Sequence, residues 1–146
     1  MFGRTQIVAL LGISLAAGAL AVNAAGTAQS VHIDLTEASD GGMMITTSAE
    51  TVPAGMTTFD VTNKSPNVGH EFLIARLETA PDALPFDEAK GVIKESALKE
   101  VEELGDLAAG ASGTMDFDLK AGKYLLFCNL PGHYKSGMYH VLTVTQ

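Results

Sequence analysis

The sequence has one cysteine, no tryptophan and few basic side chains. A single cysteine cannot form a disulfide within the chain, so no internal crosslink is expected. Lysine and arginine together number 9 against 17 aspartates and glutamates, which gives a formal net charge of −8. Phosphate groups would be repelled by such a surface, and nucleic acid is therefore not an expected partner. The acidic balance favours solubility and is compatible with a basic docking partner.

The N-terminal segment carries almost no charge. Arg4 is its only charged residue, and an uncharged run follows over residues 7–22. This run is shorter than the roughly 20 residues that a membrane span needs. The small residues after it are typical of a signal-peptidase site. We predict a signal peptide over residues 1–24 and one exported, periplasmic domain over residues 25–146 with no membrane span. An uncleaved N-terminal anchor is the alternative.

Most of the remaining sequence alternates between apolar and polar residues, as half-buried strands do. Val31, Ile33 and Leu35, for example, are separated by polar residues. Similar segments, bounded by turn residues, predict seven short strands: 30–36, 43–47, 57–63, 70–75, 114–119, 124–128 and 139–145. This succession of short strands predicts an all-β fold, a β-sandwich.

Residues 86–104 have a different pattern. Leu98, Val101 and Leu104 recur at intervals of three, and acidic residues lie mostly between them. Such spacing predicts one apolar face of a helix, which Gly105 would end. We therefore expect one helical insertion in the sandwich.

A short loop near the C-terminus holds the only cysteine. Cys128, His133 and Met138 follow one another at intervals of five residues, in a segment rich in Pro and Gly. Thiolate, imidazole and a weak thioether are the ligands of electron-transfer copper sites. A bound metal would also occupy a thiol that is otherwise free in an oxidising compartment. His70 is the best candidate for a second imidazole, because it opens a strand directly after a turn and would lie at the same end of the sandwich.

The motif Cys128-x4-His133-x4-Met138 with an upstream His70, on this strand pattern, resembles the cupredoxins, a family of small blue copper proteins. The intervals are similar to those of its rusticyanin, auracyanin and sulfocyanin types. The resemblance implies a Greek-key β-sandwich that binds one copper ion and cycles between Cu(I) and Cu(II). It also implies that His70, Cys128 and His133 form a trigonal plane around the ion, with Met138 as a long axial contact.

The function that this resemblance implies is one-electron transfer, and not an enzymatic reaction. We expect a monomer whose redox partner, such as a c-type cytochrome or an oxidase, docks near His133. Multicopper oxidases and nitrite reductases connect their blue copper to a second centre through histidines beside the cysteine. Here the neighbours of the cysteine are Phe127 and Asn129, so that connection is absent.

A periplasmic copper-binding protein for copper tolerance or delivery is the main alternative function. Its additional soft ligands could be Met43, Met44 and Met56, although single methionines more often pack in cores. A structural zinc site could use the cysteine and the histidines, but a thioether is an unusual zinc ligand.

Two positions depart from the cupredoxin pattern. The residue after the upstream histidine is often Asn or Ser in the family, where its side chain helps to fix the thiolate loop, and here it is Glu71. His140 stands two places after Met138, where the family often has glycine, and it could approach the metal. The other interpretation is a half-buried histidine bonded to backbone. We expect His32 to be exposed on its strand.

Overall fold

The computed structural model describes residues 29–146, and the signal peptide predicted over 1–24 lies outside this range. The strands of the described chain are β1 (Gln29–Glu37), β2 (Met43–Thr47), β3 (Thr51–Pro53), β4 (Gly55–Asn63), β5 (His70–Arg76), β6 (Phe86–Asp87), β7 (Val92–Ile93), β8 (Lys99–Leu107), β9 (Ser112–Leu119), β10 (Gly122–Phe127) and β11 (Tyr139–Thr145). Short 3-10 turns lie at Pro81–Ala83 and Glu95–Ala97. No helix within residues 29–146 is long and apolar enough to cross a membrane.

The strands form two main sheets. The first has the order β2-β1-β4-β9 and the second the order β3-β11-β10-β5-β8, while β6 and β7 form a separate hairpin. The β1–β4 and β3–β11 pairs are parallel and the other pairs are antiparallel. All seven strands predicted from the sequence are present, and the predicted all-β sandwich is confirmed.

The inner core lies between the two sheets. Val31, Ile33 and Leu35 of β1 are fully buried there, as their alternation with polar residues predicts. Phe59 of the first sheet meets Phe72 of the second, with ring centroids 5.9 Å apart. Fully burying one apolar side chain of this size stabilises the fold by about 1.5–3 kcal/mol, so these contacts hold the two sheets together.

A second core covers the outer face of the second sheet. Leu73 of β5 and Leu125 of β10 point away from the inner core and pack with Ile93 and Tyr134. Strands β5 and β10 are thus buried on both faces, which explains why β5 is almost continuously apolar. The chain between β5 and β8 supplies much of this outer cover.

The prediction of a helix over residues 86–104 is wrong. This range contains β6, β7, the turn at Glu95–Ala97 and most of β8. Val101 packs in the outer core, whereas Leu104 packs in the inner core. Residues three apart face opposite sides of a strand, so a strand buried against both cores can imitate the spacing of a helix. Gly105, with a φ of 87°, lies beside a β-bulge in β8.

The first and last described strands meet at one end of the sandwich. The Nε2 of Gln29 donates a hydrogen bond to the carbonyl of Pro53 (2.7 Å), and Pro53 lies opposite Thr145 in the β3–β11 pair. Leu35 lies opposite Asn63, at the other end of β1. The two ends of the described chain therefore lie together, at the end of the sandwich away from Asn63.

Candidate metal centre

The topology of the second sheet brings two of the predicted ligands together. Strands β5 and β10 are antiparallel neighbours, and Leu73 lies opposite Phe127. His70 is the first residue of β5, and Cys128 directly follows the last residue of β10. Both residues therefore lie at the same end of the sheet, as the sequence predicts.

Backbone hydrogen bonds fold the loop after Cys128 back onto the end of the strand. The N–H of His133 donates to the carbonyl of Leu130 (3.0 Å), and the N–H of Met138 donates to the carbonyl of His133 (3.1 Å). The N–H of Cys128 then donates to the carbonyl of Met138 (3.2 Å), which closes the loop. This compact turn returns the chain to β11 and holds His133 above the strand end.

Three of the four predicted ligands converge on one point. The Nδ1 of His133 lies 3.2 Å from the Nδ1 of His70 and 3.3 Å from the sulfur of Cys128. All three ligand atoms lie within 4.8 Å of one another. The Nε2 of His70 is buried without a hydrogen-bond partner in the described chain, so this ring makes its polar contacts through Nδ1. Ligand atoms about 2.0–2.3 Å from a metal ion are roughly 3–4 Å apart, and the two distances from the Nδ1 of His133 lie in that range.

The electrostatic surroundings favour neutral imidazoles. Burial lowers the pKa of His70, with a further decrease from the neighbouring His133, and burial also lowers the pKa of His133. Neutral imidazole is the form that binds a metal. Burial raises the pKa of the Cys128 thiol to about 11, and the backbone N–H groups of Glu71 and Leu130 offset part of this effect. A metal ion must therefore displace the thiol proton when it binds.

Met138, the fourth predicted ligand, is fully buried in the inner core with Cys128. Its backbone carbonyl accepts the hydrogen bond that closes the loop. The structure thus places the residue beside Cys128 and His133 through its backbone, and the role of its thioether stays a prediction.

Glu71 holds the thiolate loop by its side chain. Its Oε1 accepts a hydrogen bond from the backbone N–H of Asn129 (2.8 Å). Its own backbone N–H donates to the sulfur of Cys128 (3.5 Å). Burial raises the pKa of the Glu71 carboxyl, although the bond from Asn129 acts in the opposite direction. Glu71 therefore differs from the Asn or Ser that is frequent at this position in the cupredoxins, but its carboxylate still accepts a hydrogen bond from the loop.

Asn129 has contacts that the sequence analysis missed. Its Oδ1 accepts a hydrogen bond from the N–H of Ile93 (2.7 Å), and its Nδ2 donates to the carbonyl of Ile93 (3.1 Å) and to the Oε1 of Glu95 (2.7 Å). The side chain is buried. The one signal in the sequence is a polar residue directly after the predicted ligand Cys128, and this signal does not identify a partner.

The other two histidines lie outside the triangle. The Nε2 of His140 lies 2.9 Å from the Oε2 of Glu50, so the half-buried ring is bonded to a carboxylate and not to backbone. The side chain of His32 is 73% exposed, 3.5 Å from a carboxylate oxygen of Asp60, as expected for a surface position. Neither histidine belongs to the group of converging ligand atoms in the described chain.

Replacing His140 with glycine is expected to leave the visible spectrum of the Cu(II)-loaded protein unchanged, because this ring is held by Glu50. Absorption spectroscopy on the loaded variant tests the expectation. His133→Gly is the matched comparison, since it deletes an imidazole from the triangle and should alter the spectrum. A displaced main band in His140→Gly would show that the ring reaches the metal.

Comparison with known proteins gives the following similarities. The sequence pattern of the copper-binding proteins of the plastocyanin/azurin family matches residues 31–145. The chain is similar to reduced auracyanin from Roseiflexus castenholzii, with 24% identity over 83% of this chain and 100% of that chain (TM-score 0.55). It is also similar to rusticyanin from Thiobacillus ferrooxidans, with 19% identity over 82% of this chain and 79% of that chain (TM-score 0.51).

A copper-containing nitrite reductase from Thermus scotoductus shares 14% identity over 80% of this chain, which corresponds to 31% of the reductase (TM-score 0.51). No curated protein matches the chain. At these levels of identity, the likeness to the solved structures establishes the fold. The family pattern, by contrast, begins within β1 and ends within β11, and so spans the whole sandwich and the converging side chains.

Proposed function

The chain belongs to the plastocyanin/azurin family of copper-binding proteins, and from this premise we propose that it is a periplasmic carrier of single electrons. The predicted cupredoxin relationship is confirmed, and so is the predicted cofactor, one copper ion of the blue, type 1 kind. Homologues in this family are copper electron carriers. The periplasmic location rests on the sequence of residues 1–24, which is typical of a signal peptide.

We propose that His70, Cys128 and His133 would hold the copper ion, with the thioether of Met138 as a fourth, weaker ligand. The convergence of the two Nδ1 atoms and the sulfur is the observation that carries the proposal. Copper bound there would supply a one-electron couple between Cu(I) and Cu(II). The combination of one thiolate, two imidazoles and a nearby methionine suits such a couple better than it suits structural zinc.

The scaffold is suited to electron transfer because it restricts movement of the ligands. His70 and Cys128 are fully buried and adjoin β5 and β10, the two strands that are covered on both faces. Cu(I) and Cu(II) prefer different geometries, and a frame that moves little between them lowers the cost of each transfer. Hydrogen bonds from the surrounding residues fix the ligands further.

His133 is the proposed exit point for the electron. It is half-buried, whereas His70 and Cys128 are fully buried, so its ring is the proposed ligand with the best access to solvent. Its neighbours Pro131 and Gly132 are exposed. A redox partner such as a c-type cytochrome or an oxidase would dock over this loop, and the formal charge of −8 favours a basic partner.

The exposed methionines give little support to copper tolerance or delivery. Met44 lies opposite Thr36 near the end of β1, whereas Met56 directly precedes Thr57, which lies opposite Gln29 at the start of β1. At about 3.3 Å per residue, these two side chains are roughly 25 Å apart along the strands. They cannot bind one ion together, and electron transfer is the better-supported function.

The test is the redox behaviour of the copper-loaded protein. Purified residues 25–146 loaded with Cu(II) are expected to be strongly coloured, to show the paramagnetic-resonance signal of a thiolate-bound copper, and to be reduced and reoxidised repeatedly without losing the ion. The zinc-loaded protein is the matched colourless control. A colourless Cu(II) complex, or Cu(I) that binds but does not cycle, would contradict the proposal.

A further inference from the structure

The chain between β5 and β8 makes direct contacts with the loop that holds the proposed ligands. We refer to residues 81–98 as the insertion. The hydroxyl of Tyr134 donates to the carbonyl of Pro81 (2.9 Å), and the N–H of Gly132 donates to the carbonyl of Gly91 (2.9 Å). The insertion is therefore bonded to the loop at its start and at its middle.

Asn129 makes the densest set of these contacts. Its amide forms a two-bond pair with the backbone of Ile93, one bond to the N–H and one to the carbonyl, and a third bond to Glu95. Both donor hydrogens of the amide and one acceptor site are thus used. Asn129 is only 7% exposed, so each bond lost would leave a buried polar group without a partner.

The backbone of Asn129 is held on its other side by the start of β5. Its N–H donates to the Glu71 carboxylate (2.8 Å), next to His70. The peptide bond between Cys128 and Asn129 is therefore fixed from two directions, by Glu71 on the sheet and by Ile93 of the insertion. The next N–H, that of Leu130, is one of the two backbone groups that favour the thiolate of Cys128.

We propose that Asn129 is a positioning residue that makes the insertion part of the rigid frame of the copper site. The proposal rests on the electron-transfer function and on Cys128 as a ligand. With the Asn129 side chain bonded to Ile93, the peptide that follows it keeps one orientation, in which the N–H of Leu130 faces the sulfur. The N–H of Glu71, whose carboxylate holds the N–H of Asn129, donates to the same sulfur from β5 (3.5 Å). Hydrogen bonds to the cysteine sulfur withdraw electron density from the thiolate, and this tunes the copper potential. Loosening the contact with Ile93 weakens these bonds, so Cu(II) becomes better stabilised relative to Cu(I).

Asn129→Ala tests this role in the full copper-loaded domain. The expected results are a lower reduction potential, a displaced visible band, and copper release to a chelator that is roughly 10-fold faster or more, the usual range for losing a partner that orients a ligand. Amide hydrogen exchange at Ile93 should become faster in the same variant, because its N–H loses its acceptor. Glu88→Gln is the matched control: it breaks the exposed Lys135–Glu88 ion pair between the insertion and the loop without touching residue 129. Its potential and visible band should equal those of the wild type.

A second pair of variants keeps the test decisive if Asn129→Ala fails to fold. Glu95→Ala and Glu95→Gln both remove one exposed charge, but only glutamine keeps an acceptor for the Asn129 amide. The alanine variant is expected to release copper several-fold faster than the glutamine variant. Equal release from the two would contradict the proposal.

The inference and the proposed function fail in distinguishable ways. A wild-type protein that does not form a coloured, reversible copper complex would overturn the function itself. A normal wild-type protein, together with an Asn129→Ala variant that has a lower melting temperature but an unchanged potential, band and release rate, would show that Asn129 only stabilises the fold.

Discussion

Replacing Cys128 with serine is expected to abolish the intense visible absorption of the Cu(II)-loaded protein. The thiolate of Cys128 is the proposed soft, strongly donating ligand, and its sulfur lies 3.3 Å from the Nδ1 of His133. A serine hydroxyl does not ionise at neutral pH and is a poor copper ligand. The variant should bind Cu(II) weakly and give only the faint colour of nitrogen- and oxygen-bound copper. Absorption and paramagnetic-resonance spectra at a known copper-to-protein ratio measure the loss.

The fold of this variant must be checked separately, because Cys128 is fully buried in the inner core. A buried hydroxyl without a partner costs about 1–3 kcal/mol, which most domains of this size tolerate, so the far-ultraviolet circular dichroism should be retained. His32→Ser is the matched control, since it changes an exposed side chain outside the triangle. An intense band that survives in Cys128→Ser would show that the ligand assignment is wrong.

Replacing Asn63 with alanine is expected to cause the largest loss of stability of any polar substitution proposed for this chain. Asn63 is fully buried, and its Nδ2 donates to the carbonyls of Val68 and Leu107 (2.9 Å each), while its Oδ1 accepts from the N–H of Ser65 (2.9 Å). Alanine leaves these three backbone groups without their partner. At about 1–3 kcal/mol for each unsatisfied group, with partial relaxation, the free energy of unfolding should fall by roughly 3–5 kcal/mol. Urea denaturation of the metal-free protein measures this change.

The same substitution should weaken copper retention. The turn that Asn63 braces leads directly into His70, and Leu107, one of its acceptors, lies opposite His70 in the β5–β8 pair. Loss of the brace lets the start of β5 move, and the imidazole loses its fixed orientation. Copper release to a chelator should therefore become faster. Asn67→Ala is the control on the same turn, because Asn67 is exposed. Equal stability of the two variants would contradict this account of Asn63.

The strands could be predicted because their signals are local, and the loop residues of the triangle could be predicted from their spacing. The alternation of Val31, Ile33 and Leu35 with polar residues predicts a strand with one buried face. All three side chains are buried in the inner core, as predicted. The approach of His70 to Cys128 follows from two strand ends that meet at one edge of a sheet, and the spacing of the loop residues identifies the metal chemistry. The approach of His70 to Cys128 also needs the pairing of two distant strands, which the resemblance to the cupredoxins implies.

The structure of the insertion and its contacts could not be predicted, because they depend on packing between segments that are distant in the sequence. Val101 and Leu104 serve two different cores, and a spacing of three residues does not distinguish a helix face from a strand buried on both sides. The bonds of Asn129 to Ile93 join positions 36 residues apart in the sequence. These bonds depend on the position at which the insertion packs on the outer face of the second sheet, and only the tertiary structure defines that position.

The meeting of the two chain ends determines how the domain can be tethered. Gln29 and Thr145 both lie beside Pro53, whereas Asn63, which braces the turn before His70, lies at the opposite pole. A linker or an affinity tag joined directly before Gln29 or directly after Thr145 would leave from the pole opposite the proposed copper site. If the domain were attached to an electrode through such a linker, His133 and the proposed copper site would face the solution.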